Sequence, residues 1–131
     1  MAGVSKQEVR TDGAPPPPMP CLSQGVKIGD LVFVSGSLGV DPSTGKFVEG
    51  TVAARTTQIL KNISNILEAA GTSIDNVVKV KVFFDDMSNF DTMNKAYYEV
   101  FNAGVRPVRT CVAVKQLPFG ADVEIEATAH L

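Results

Sequence analysis

Two short stretches in the last third of the chain hold most of the residues able to do chemistry. The run Arg106 to Val112 (RPVRTCV) puts a guanidinium, Arg109, two positions from a thiol, Cys111. The run Val123 to Ala127 (VEIEA) puts two carboxylates, Glu124 and Glu126, at the same spacing. Side chains alternate between faces along a strand, so a spacing of two means a shared face. If Val112, Val114, Val123 and Ile125 turn toward the helices, then Arg109, Cys111 and Glu124 share the face away from them. A guanidinium there can grip a carboxylate through two parallel hydrogen bonds. A nearby carboxylate can orient or deprotonate a water. A neutral thiol can shape the pocket and donate a weak hydrogen bond. Two plainer readings stand beside this one. Arg109 with Glu124 or Glu126 makes an ordinary cross-strand ion pair, and Cys111 makes a small core hydrophobe.

Other chemistries are disfavoured by what is missing. The only histidine, His130, is the penultimate residue, which leaves a Ser-His-Asp triad implausible and no base to activate a cysteine nucleophile. A single histidine and two cysteines, Cys21 and Cys111, make a tetrahedral metal site improbable and are too few for a disulfide framework. Neither a G-x-G-x-x-G nor a Walker pattern occurs. The formal net charge of −2 provides no basic field for a phosphate backbone.

The elements that must position these residues follow from periodicity. Gln24 to Ile28 and Leu31 to Val34 read as strands around a Gly29-Asp30 turn. Asp41 to Gly45 (DPSTG) is a turn signal. A helix is predicted from Thr51 to Ala70, with Val52, Ile59, Ile63, Ile66, Leu67 and Ala70 on one stripe and Gly71 as its cap. A strand follows from Val77 to Phe84, with Val78, Val80, Val82 and Phe84 on one face and Lys79 and Lys81 on the other. A second helix spans Asn89 to Phe101, capped by Ser88 or Asp86, with Phe90, Met93, Tyr97 and Phe101 as its apolar stripe. Asn94 borders that stripe. Its amide needs partners, either nearby backbone or a pocket at whose rim it sits. Strands Val108 to Val114 and Asp122 to Ala129, joined by a turn at Leu117 to Gly120, complete the order β-β-α-β-α-β-β.

This is an α+β chain: one sheet with two helices on one face. Residues 1–20, including the proline run of Gly13 to Pro20, read as an extended leading segment, and residues 21–131 as a single domain. Length (131 residues) and composition (44% apolar, 20% charged) are those of one ordinary globular domain. Leu31 to Val34 is continuously apolar, which calls for burial on both faces. Two helices cover one, so a second copy of the chain is the economical cover for the other. No stretch is long and apolar enough to span a membrane. A cytoplasmic location is expected, with peroxisomal (from the Ala129-His130-Leu131 end) and mitochondrial locations as alternatives.

Taken together and in order, the motifs resemble those of the RidA family, also called YjgF/YER057c/UK114. They are Gln24-Gly25-Val26, Val34-Ser35-Gly36, Glu68 to Gly71 (EAAG), the helix with Asn94 and Tyr97, Pro107 to Val112 (PVRTCV), Leu117-Pro118 and Val123 to Ala127. The resemblance covers Gln24 to Ala129. It implies a chorismate-mutase-like fold and a homotrimer with a site at each subunit interface. It also implies 2-iminobutanoate/2-iminopropanoate deaminase activity on products of pyridoxal-phosphate-dependent dehydratases, without metal or bound cofactor. Carried over by position, the carboxylate-binding arginine is Arg109, the site cysteine Cys111 and the water-positioning glutamate Glu124, while Gly36 and Asn94 line the pocket. The chain departs from the pattern at Leu22, or Cys21 if the loop shifts by one, where the family places a pocket tyrosine. It departs again at Gly39, where a proline is usual. The missing tyrosine favours a second expectation, a non-catalytic binder or sensor of small carboxylates. A third is the endoribonuclease role associated with the family, which the acidic balance disfavours.

Overall fold

The computed structural model describes residues 4–131. Its strands and helices run β1 (Gln7–Val9), β2 (Gly25–Ile28), β3 (Leu31–Ser37), β4 (Val40–Asp41), β5 (Lys46–Phe47), α1 (Val52–Ala69), β6 (Val77–Phe84), α2 (Phe90–Val100), β7 (Val108–Ala113) and β8 (Val123–His130). Six strands form one mixed sheet in the order β1-β2-β3-β8-β6-β7, and β4 with β5 forms a small separate hairpin. The two helices pack side by side, and α1 also lies against β3 and β8.

Helix α1 begins and ends on signals present in the sequence. The Thr51 hydroxyl accepts from the Ala53 amide at 3.2 Å, satisfying one of the first-turn donors. At the other end Gly71 adopts φ +92°, a left-handed conformation that costs glycine little. The Gly71 amide then donates to Glu68 and the Thr72 amide to Leu67, both at 3.0 Å, a Schellman closure. The expected stripe is buried along its length. It packs on Val32, Val34, Val80, Val82, Phe84, Ile125, Ala127 and Ala129 of the sheet in one continuous core.

Several expectations need correcting. Residues 7–9 of the leading segment pair antiparallel with β2 as an edge strand, and Val9 and Ala14 lie in the core. Gln24 holds this segment: buried, its Nε2 donates to the carbonyls of Thr11, Ala14 and Pro15, and its Oε1 accepts from the Thr11 amide. In β6 the buried residue is Val77 and not Val78, because the ladder with β8 shifts register between Val77 and Lys79. Such a bulge reverses the parity of the residues beyond it. The Asp41 to Gly45 turn closes the β4–β5 hairpin. The last two strands are not neighbours. β6 lies between them, antiparallel to β8 and parallel to β7, which forms the sheet edge.

One polar brace, which periodicity does not signal, ties the hairpin and α1 to the start of β8. Arg55 of α1 donates from Nε and Nη2 to the Asp122 carboxylate at 2.8 and 2.7 Å, and from Nη1 to the carbonyls of Val48 and Gly50. Gly39 lies so close that a Cβ there would stand 2.6 Å from the Arg55 Cβ, so glycine at this departure from the family pattern is a packing requirement. Arg55→Ala should strand the Asp122 carboxylate and both carbonyls. A loss of about 2 kcal/mol, lowering Tm by roughly 6–10 °C, is expected by thermal melting. An unchanged Tm would show the brace to be energetically idle.

Candidate functional site

Arg109 sits on edge strand β7, opposite Val80 in the parallel ladder, and Cys111 sits opposite Val82. Val80, Val82 and Phe84 are fully buried beneath the helices, so Arg109 and Cys111 face the helix side. Cys111 packs against the core. Glu124 sits opposite Phe83, between the buried Val123 and Ile125, and so faces the open side. The expectation that Arg109, Cys111 and Glu124 share one face is therefore wrong for a single chain. It assumed that Val112 and Val114 turn inward as Val123 and Ile125 do. Instead Val112 is 41% and Val108 65% exposed. An edge strand can leave apolar residues on its open side, and adjacency of β7 to β8 was never required by the pattern.

On the helix side, Arg109 meets α2. Its Nη1 donates to Asn94 Oδ1 at 2.7 Å. Its guanidinium carbon lies 4.6 Å from the centre of the Tyr97 ring and 5.7 Å from that of Phe90. The partner that Asn94 requires is thus a cationic side chain rather than backbone. No carboxylate lies within ion-pair distance of Arg109 among the described residues. The cross-strand pair with Glu124 or Glu126 does not form, and Glu126 lies 3.7 Å from Lys81 instead. A half-buried guanidinium held by a neutral amide and two rings keeps its charge and donors available for an anion. Burial pushes the Cys111 thiol up from its ordinary value, with the Arg109 charge opposing. The thiol is therefore neutral and a poor nucleophile at physiological pH. Cys111→Ala should retain most turnover. Its complete loss in a folded variant, measured by steady-state kinetics, would assign the sulfur a covalent role.

On the open side, Glu124 lies over Gly36. A Cβ on Gly36 would approach the Glu124 carboxyl carbon to 3.0 Å and both oxygens to 3.2 Å. Glycine here makes room for a carboxylate against the β3 backbone, beside the register shift between Val34 and Ser37. Burial, then repulsion from Glu126, raises the Glu124 pKa. Next to Gly36, the Ser35 hydroxyl donates to the Ser23 carbonyl at 2.6 Å and the Ser35 amide to the Gln24 carbonyl at 3.0 Å. Those bonds dock the loop that carries the exposed Leu22 and Cys21. Sequence reasoning named neither Ser35 nor Gln24 as organisers of this corner.

One chain therefore carries two separated groups: Arg109, Asn94 and Cys111 with the rings of Phe90 and Tyr97 on one face, and Glu124 and Gly36, with the Leu22 loop docked beside them, on the other. Two hollows, of about 360 Å³ on the open face and about 290 Å³ around Val105, are lined by none of Arg109, Cys111 and Glu124. Among the described residues no three histidine, cysteine, aspartate or glutamate side chains come together as metal ligands.

Residues 13–131 match the family described as endoribonuclease L-PSP. The chain is 42% identical over 124 residues to a RutC family protein of Aquifex aeolicus, covering 94% of this chain and 98% of that one. It is 40% identical over 129 residues to the 2-iminobutanoate/2-iminopropanoate deaminase of Mus musculus, covering 98% and 94%. The crystal structure of E. coli TdcF with bound serine superposes with a TM-score of 0.90 at 35% identity, covering 95% and 98%.

Proposed function

Since this chain belongs to the endoribonuclease L-PSP family, which includes the YjgF and RidA proteins, we propose that it deaminates reactive 2-imino acids, hydrolysing them to 2-keto acids and ammonia. The observation that carries the reading is Arg109, a half-buried cation held by Asn94 and two rings, with no carboxylate within ion-pair distance among the described residues. Such a group binds a small carboxylate without breaking a prior ion pair. The mouse relative's name supplies the substrate class, 2-iminobutanoate and 2-iminopropanoate.

In this mechanism Arg109 holds the substrate carboxylate. Glu124 takes a proton from water as its oxygen adds to the imine carbon and the C=N electron pair moves to nitrogen. That proton passes to the nitrogen, giving a carbinolamine. Glu124 then takes the hydroxyl proton and returns it to the nitrogen. The oxygen lone pair forms C=O as the C–N bond breaks, and ammonia leaves the 2-keto acid. The imine is already electrophilic, so positioning supplies much of the rate. A carboxylate whose pKa burial has raised is a better proton acceptor than an ordinary one.

Both groups can serve one substrate only if two chains meet, Arg109 from one and Glu124 from the next. The open face suits such a meeting, since Leu31 and Phe33 are 40% and 45% exposed there. The assembly proposed is a homotrimer with a site at each interface, and light scattering should give three times the chain mass of 13.9 kDa. A monomer at micromolar concentration would refute it. The proposed functional partners are pyridoxal-phosphate-dependent dehydratases that release such imines.

Generating 2-iminobutanoate in situ with a threonine dehydratase, in the presence of semicarbazide, tests the activity. The protein should divert imine to 2-keto acid and slow semicarbazone formation. An unchanged semicarbazone rate would reduce it to a carboxylate binder.

A further inference from the structure

Arg109 extends a flexible stem from an edge strand, and nothing on β7 fixes the plane of its guanidinium. Helix α2 provides what does. Phe90, Asn94 and Tyr97 stand at i, i+4 and i+7, so they line one helical face. Asn94 takes one Nη1 hydrogen within the guanidinium plane. The guanidinium carbon stands over the Tyr97 ring, 4.6 Å from its centre, and 5.7 Å from the centre of the Phe90 ring. A ring contact and an in-plane hydrogen bond constrain a guanidinium in different ways. A ring on the face leaves the in-plane donors open, whereas a carboxylate must approach in the plane. Tyr97 is itself held, its ring centre 4.7 Å from that of the buried Phe101. Burial raises its phenol pKa, so it stays neutral and does not compete as an anion.

We propose that Tyr97, seconded by Phe90, is a positioning residue that sets the plane of the Arg109 guanidinium and, through it, the plane of the substrate. The inference rests on the imine-hydrolysis reading above. In a 2-imino acid the carboxylate and the C=N group are conjugated and favour one plane. Fixing the carboxylate in the guanidinium plane therefore also fixes which way the imine faces, and water must add perpendicular to that plane. The orienting contact is assigned to the ring over which the guanidinium stands, and the phenol, which also feels Arg109, is secondary; this predicts a specific pattern of variants.

Tyr97→Phe should keep kcat/KM within about threefold of the parent. Tyr97→Leu should lose about tenfold or more, with KM raised. In an Arg109→Lys background the same Tyr97→Leu change should have almost no further effect, because the plane to be oriented is gone. A merely structural Tyr97 would lower Tm and leave activity per folded molecule, and its additivity with Arg109→Lys, unchanged; that pattern overturns the proposal, as does full activity in Tyr97→Leu. If Tyr97→Leu does not fold, Phe90→Leu is read in its place, with a smaller loss of the same kind expected. If the parent chain turns over no imine, the function reading fails on its own. Calorimetric titration with 2-oxobutanoate then decides the positioning claim: weaker binding by Tyr97→Leu than by Tyr97→Phe upholds it, and equal or absent binding ends it.

Discussion

Arg109→Lys should fold as the parent chain does and lose most of the proposed imine hydrolysis. Lysine keeps the positive charge but replaces a planar fork with a single ammonium on a flexible stem. One nitrogen cannot hold Asn94 Oδ1 and both oxygens of a carboxylate in one plane. Nor does it reproduce the contact of a delocalised guanidinium with the Tyr97 ring, 4.6 Å from its centre. Losing one charge-assisted hydrogen bond is worth about 1.5–3 kcal/mol, or about ten- to two-hundred-fold in kcat/KM. Arg109→Ala should lose more. Stability should change little in either variant, because Arg109 pairs with no carboxylate among the described residues and its removal strands none. Melting and turnover measured on the same samples separate the two roles. Near-parental turnover in Arg109→Lys would sink the carboxylate clamp, and a large fall in Tm with activity tracking the folded fraction would make Arg109 structural.

Glu124→Gln should abolish turnover without weakening the fold. An amide cannot take a proton from water, so a fall of about 10²–10⁴-fold in kcat is expected for a lost general base. The stability effect has the opposite sign to that of an ion-paired carboxylate. The folded-state pKa of Glu124 is raised above the ordinary 4.5, by burial first and by Glu126 second. Folding therefore favours its protonated form. That contribution is present below the unfolded pKa and is lost as pH rises through the raised folded value. Glutamine is neutral throughout, so Glu124→Gln should melt no lower than the parent at pH 7, with any advantage fading in acid. In the parent chain kcat/KM should fall as pH drops through the same raised pKa, giving an acid limb above 4.5. A Glu124→Gln variant with parental kcat would remove Glu124 from the chemistry. A lower Tm at pH 7 would mean that the carboxylate makes stabilising contacts, and that burial does not dominate its energetics.

The corrected face assignment bears directly on both results. Arg109 and Glu124 act on one substrate in this reading only across a subunit boundary. Mixing the impaired Arg109→Lys and Glu124→Gln chains should then rebuild some sites of parental composition, and the activity recovered above that of either variant alone would measure their number.

Much of the chain was legible from local pattern. The helix over Val52–Ala69 announced itself by its stripe and by a glycine free to take φ +92° at its end. The strand Val77–Phe84 and the residue types able to do chemistry were equally visible. These features depend on neighbours three to seven positions apart, which the sequence lists side by side. What only the tertiary structure decided are relations between distant segments. The registers of β7 and β8 on the intervening β6 set Arg109 and Glu124 on opposite faces, and a bulge exchanged Val78 for Val77 in the core. Gln24 folded the leading segment onto the sheet by accepting one and donating three bonds, and Arg55 found Asp122 67 positions away. Strand order and long-range polar pairing are settled by which arrangement buries the most apolar surface with every polar group satisfied, and that competition runs over the whole chain at once.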